Sequence, residues 1–121
     1  MLLKDFYEII EVTKEEDGVY VAKVELNGAH EIFGGHFPGE PVVPGVCLIQ
    51  MTKEIVEHVL ERALMLSEAK SIKFLNVVRP EENSRLNVKV TIKPEDEGLK
   101  VVASIFAGET TFFKQACRFT D

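Results

Sequence analysis

The chain has 121 residues, 45% of them hydrophobic, and 20 acidic against 14 basic side chains give a formal charge of −6. That is the length of one domain, with enough apolar side chains to fill a core, so intrinsic disorder is excluded. The acidic balance argues against a general nucleic-acid binder, which needs clustered positive charge to displace counterions.

No stretch reaches the roughly 20 apolar residues needed to cross a bilayer. The opening Met1-Leu2-Leu3-Lys4-Asp5-Phe6-Tyr7-Glu8 has acids where a secretion signal would be apolar. Cys47 and Cys117 form neither a metal pattern nor a disulfide framework. A cytoplasmic protein with a single domain over residues 1–121 is expected.

In chain order, Phe6 to Val12 is rich in aromatic and β-branched residues, and Val19 to Leu26 alternates apolar with polar. Both are predicted strands. Lys14-Glu15-Glu16-Asp17-Gly18 between them suits a hairpin turn, and Asn27-Gly28 marks another.

Residues 29 to 45 then hold Gly34, Gly35, Gly39 and Gly45 with Pro38, Pro41 and Pro44. Neither a helix nor a central strand can run through so many glycines and prolines. A loop of this length in a compact domain usually carries function.

From Val46 to about Leu66 the pattern is helical. Leu48, Met51, Ile55 and Val59 recur at helical spacing, Ile49, Val56, Leu60 and Ala63 widen the stripe, and Lys53, Glu54, Glu57, Glu61 and Arg62 mark the opposite side. Four more strands are predicted: Ser71 to Val78, Leu86 to Ile92, Leu99 to Phe106 and Thr110 to Phe119. Lys93 to Gly98 and Ala107-Gly108-Glu109 are the turns between the last three. An antiparallel sheet curled around one long helix lets each element cover the other's apolar face. The fold class is α+β.

The segment from His30 to Val46 places one imidazole, His36, in a stiffened loop just before a helix start. Histidine is available as a free base near neutral pH. Unpaired N–H groups at a helix N-terminus stabilise negative charge developing on a bound carbonyl. Together they suit removal of a proton α to a carbonyl.

Gly35-His36-Phe37-Pro38-Gly39-Glu40-Pro41-Val42-Val43-Pro44-Gly45-Val46 resembles the active-site loop of 3-hydroxyacyl-acyl-carrier-protein dehydratases of the FabA/FabZ type. A weaker similarity covers Lys73-Phe74, Val78-Arg79-Pro80 and on to Leu86. The resemblance implies a hotdog fold, an antiparallel sheet wrapped around one long central helix. It also implies dehydration of 3-hydroxyacyl thioesters, on acyl carrier protein or coenzyme A, to trans-2-enoyl thioesters in fatty-acid or related lipid or polyene biosynthesis.

By the same resemblance His36 is the base and the Gly45 N–H holds the thioester carbonyl; Phe33, Phe37, Pro38, Gly39 and Val46 are candidate substrate-binding residues, although aromatics beside a buried helix more often simply pack. Active sites form between two chains of a homodimer or larger oligomer. No cofactor or metal is expected, because the thioester itself acidifies the α-proton.

One position departs from the pattern. Where the family carries an acid on the helix, supplied by the partner subunit, this sequence has Gln50. An amide has no proton to give at neutral pH. Gln50 is compatible with a catalytic relic, a ligand-orienting group or a polar residue at a subunit interface. Glu54, one turn further on the same face, is a candidate substitute.

Two alternatives follow: an impaired dehydratase-like subunit that supports a partner chain in a hetero-oligomer, and a hotdog acyl thioesterase. Docking of an acidic carrier protein would need a local basic patch, for which Lys73, Arg79, Arg85 and Arg118 are candidates. Cys47 is expected to be a buried, inert thiol, and His58 a solvated side chain.

Overall fold

The computed structural model describes residues 5–30 and 41–121. The strands are β1 (Tyr7–Glu16), β2 (Val19–Leu26), β3 (Met65–Phe74), β4 (Arg85–Glu95), β5 (Gly98–Ala107) and β6 (Thr110–Thr120). The helix α1 (Gly45–Leu60) lies between β2 and β3 in sequence. The strands form one six-stranded sheet in the order β1-β2-β4-β5-β6-β3, and every neighbouring pair is antiparallel.

The core is where one face of the sheet meets the helix. Leu86, Val88, Val90 and Ile92 alternate inward along β4, and Leu99, Val101, Ala103 and Ile105 do so along β5. Met51, Ile55 and Val56 of α1 are fully buried with them. At roughly 1.5–3 kcal/mol for each large apolar side chain taken from water, this seam is the main source of stability.

Several boundaries differ from the sequence expectation. The helix stops at Leu60 rather than near Leu66, because Glu61 turns into the left-handed region at φ 55° and its N–H donates to the Glu57 carbonyl. Ala63, assigned to the helical stripe, is therefore exposed in the connection, and Leu64 is buried beyond the helix. The next strand begins at Met65 and ends at Phe74, not Ser71 to Val78. As an outer strand it leaves residues 65–70 exposed, so they carry no two-residue alternation.

Both predicted turns around charged residues shrink. β1 runs on through Lys14-Glu15-Glu16, leaving the two-residue turn Asp17-Gly18. Gly18 has φ +79°, and an added Cβ would lie 2.6 Å from the Ile92 carbonyl oxygen, so only glycine fits there. β4 continues through Lys93-Pro94-Glu95. Proline is tolerated because β2 ends its pairing at Val19 opposite Thr91, so no ladder partner awaits an N–H at Pro94.

Candidate active site

The segment entering α1 is held from outside. The Val43 N–H donates to the Val78 carbonyl at 2.9 Å, and Pro44 occupies the N-cap in extended geometry (φ −60°, ψ 143°). Proline supplies no side-chain cap, and no acidic residue lies in the first turn. The Cys47 N–H closes onto the Pro44 carbonyl at 2.9 Å, while the Gly45 and Val46 N–H groups precede any carbonyl the helix can offer them. The positive end of the helix is thus uncompensated by side chains among the described residues.

Beside this end is a cavity of about 350 Å³ with walls from Val43, Pro44, Gly45, Leu48, Phe74 and Val77. The Phe74 ring lies on Gly45, where an added Cβ would sit 2.8 Å from Cε1 and 2.9 Å from Cζ. Phe74 also packs against Phe113 with ring centroids 5.4 Å apart. Sequence reasoning missed Phe74 as a wall of the site, although the weaker family similarity included Lys73-Phe74.

Gly45 is the first residue of the helix and lies on the cavity wall. Val46 is 69% exposed and is not among the described residues that line the cavity. His36, Phe33, Phe37, Pro38 and Gly39 lie outside the described residues. His30 packs edge-on against Phe6, centroids 5.5 Å apart, and His58 is exposed.

Gln50 is half-buried in the second turn, and its Nε2 donates to Glu54 Oε2 at 3.0 Å. Glu54 does not lie on a solvated face as its charge suggested: it is 3% exposed, and its Oε1 accepts from the Tyr7 hydroxyl at 2.9 Å. Burial, reinforced by the charge and hydrogen bond of Glu54, pushes the Tyr7 phenol far above its ordinary range, so Tyr7 stays a proton-bearing donor.

Among the four basic side chains considered for docking, Arg118 pairs with Glu95 at 2.9 Å and Arg85 with Glu25 at 3.7 Å. Only Lys73 and Arg79 remain of that patch. Cys47 is buried, which raises its thiol, and burial pushes Cys117 up to about 11, so neither is an activated nucleophile. No group of metal-ligating side chains occurs among the described residues. Nor is any described helix long and apolar enough to cross a membrane.

Among the described residues, six antiparallel strands in one sheet with one helix make a hotdog fold, with an open helix start on an apolar cavity. The model of the ApeI-like family, described as ApeI dehydratase, matches residues 11–111, and the chain belongs to that family.

It is 34% identical over 113 residues to the 3-hydroxyacyl-[acyl-carrier-protein] dehydratase FabZ of Ligilactobacillus salivarius, covering 87% of this chain and 78% of that one. The FabZ of Koribacter versatilis is 29% identical over 128 residues, covering 99% and 76%. Among solved structures, the dehydratase heterocomplex ApeI:P from Xenorhabdus doucetiae superposes with a TM-score of 0.75 at 18% identity, covering 94% of this chain and 97% of that one.

Proposed function

We propose that the chain is a dehydratase converting 3-hydroxyacyl thioesters, carried on acyl carrier protein or coenzyme A, into trans-2-enoyl thioesters and water. The observation that carries this is the uncapped start of α1, with Gly45 N–H beside an apolar cavity and the His36 loop immediately before it in sequence. The Gly45 N–H and the helix dipole would polarise the thioester carbonyl, lowering the cost of charge on Cα. His36 would then take the α-proton.

Gln50 has no proton to donate, and both carboxylate oxygens of Glu54 are already engaged, by the Tyr7 hydroxyl and the Gln50 amide. The proton returned to the departing hydroxyl is therefore the one His36 has just taken from Cα. The Cα–H and Cβ–O bonds break, the C=C bond forms, and the new O–H bond makes the water. Homo-oligomers in the cytoplasm are the state in which we expect this chemistry.

The test is ultraviolet absorbance of a short-chain 3-hydroxyacyl/enoyl thioester pair. Wild type is expected to interconvert the pair, and His36→Ala to lose about 10²–10⁴-fold in kcat with its melting unchanged. Full activity in His36→Ala would overturn the assignment.

Gln50 itself favours a second reading, a subunit that needs an acid from a partner chain. On that reading wild type alone is silent and Gln50→Glu gains turnover. The new carboxyl would sit against Glu54, where two acids cannot both ionise cheaply, so one would hold its proton to higher pH. Its activity should therefore fall as pH rises through that raised value.

A further inference from the structure

Resting on the dehydratase reading, we infer that Glu54 is a positioning residue which, clamped by Tyr7, fixes the polarity of the Gln50 amide and so makes Gln50 an acceptor for the substrate's β-hydroxyl. The inference starts from an ambiguity every glutamine carries. Its two ends are nearly the same size but opposite in hydrogen-bonding sense, and a site that used either orientation would hold the hydroxyl in two ways.

Here the ambiguity is removed. A carboxylate can only accept, so the end of Gln50 that meets Glu54 must be Nε2, as the 3.0 Å contact has it. Oε1 is then the other end of the amide, and it accepts no hydrogen bond from the described residues.

The carboxylate is in turn fixed from behind. The Tyr7 hydroxyl reaches it from β1 at 2.9 Å, bridging 47 residues of sequence, and Tyr7 is itself only 8% exposed. A buried charge-assisted chain of this kind is costly to leave half-made, so its members hold one another in a single arrangement. Glu54 touches no substrate atom in this scheme and acts through Gln50. An acceptor aimed at the β-hydroxyl proton turns an oxygen lone pair away from the amide, where it is open to protonation. That orients the leaving group without acidity.

The test compares kcat and KM of the purified chain on a 3-hydroxyacyl pantetheine thioester for wild type, Glu54→Gln, Gln50→Ala and the double variant. Glu54→Gln keeps the shape and the Tyr7 contact, but with the Tyr7 hydroxyl donating to the new amide oxygen its NH2 faces Gln50 and no longer accepts from Nε2. We expect kcat to fall about 10–100-fold, the scale of one charge-assisted hydrogen bond, with KM changed less than about twofold. The loss should vanish in the Gln50→Ala background.

Equal losses in both backgrounds, or an unchanged kcat, overturn the inference. If Glu54→Gln does not fold, Tyr7→Phe releases the same clamp from its other end and is read by the same criteria. The Gln50 side-chain amide protons give a readout independent of turnover. The proton facing Glu54 should be shifted away from its position in a free glutamine amide in wild type and return toward that position in Glu54→Gln. That return supports the clamp even where the wild type is inactive and the dehydratase reading has fallen, whereas an unchanged pair of resonances overturns it.

Discussion

The two ends of α1 are finished in opposite ways. At the C-terminal end the chain satisfies itself: Glu61 adopts the left-handed turn, the Glu61 and Arg62 N–H groups both reach the Glu57 carbonyl, and Glu57 Oε2 accepts the Leu64 N–H at 2.8 Å. At the N-terminal end there is a proline without a capping side chain, no acid in the first turn, and a glycine under an aromatic ring on a cavity wall. Helix ends left without partners are unfavourable, so an end that only has to stop is closed by its neighbours. On the function proposed above, the open end is completed by a ligand that supplies the missing acceptor.

If that contrast is right, substitutions at the open end move activity and substitutions at the closed end move stability. Gly45→Ala is the sharpest case and carries the largest expected effect. Helix propensity alone would favour alanine, while the new Cβ must displace the half-exposed Phe74 ring from the cavity wall. We expect kcat/KM to fall at least about tenfold with unfolding free energy within about 1 kcal/mol of wild type. A stability loss with activity intact would break the comparison.

Glu57→Ala at the other end removes the acceptor of a half-buried N–H and should cost about 1 kcal/mol in denaturant unfolding with kcat unchanged. The smallest effect is expected from Glu61→Gly, which relieves the left-handed strain and should stabilise by about 0.5–1 kcal/mol, again without touching turnover.

How much of this was legible in the sequence follows from which positions are two-sided. β4 and β5 alternate because one face meets the helix and the other meets water, so β5 was readable to within one residue at each end and β4 at its start, while the end of β4 through Lys93-Pro94-Glu95 was read as turn. β1 and β3 are the outer strands, and their solvated stretches at 10–16 and 65–70 lack any periodic signature. The helix end was hidden because Ala63, Leu64 and Leu66 continue the apolar count past a turn that is set by backbone conformation.

Gly45 and Gln50 could be singled out as candidates because their spacing from His36 follows from the loop motif and the helix after it. Glu54 was placed with the solvated charges because nothing local announces that a carboxylate is buried. Its explanation is Tyr7, at the far end of the chain's first half, and only the fold brings the two together.

The strand order has a kinetic consequence. β1–β2, β4–β5 and β5–β6 are hairpins that need only short loops to close, but β2–β4 and β3–β6 join strands from distant parts of the chain, with Ser67 and Arg118 paired across 51 residues. Those two seams bracket the helix in sequence, so the chain must close long loops before the sheet can reward it. The hairpins can assemble early, whereas the platform under α1 exists only once both seams have formed. Weakening a seam should therefore slow folding more than weakening a hairpin turn of equal energetic value.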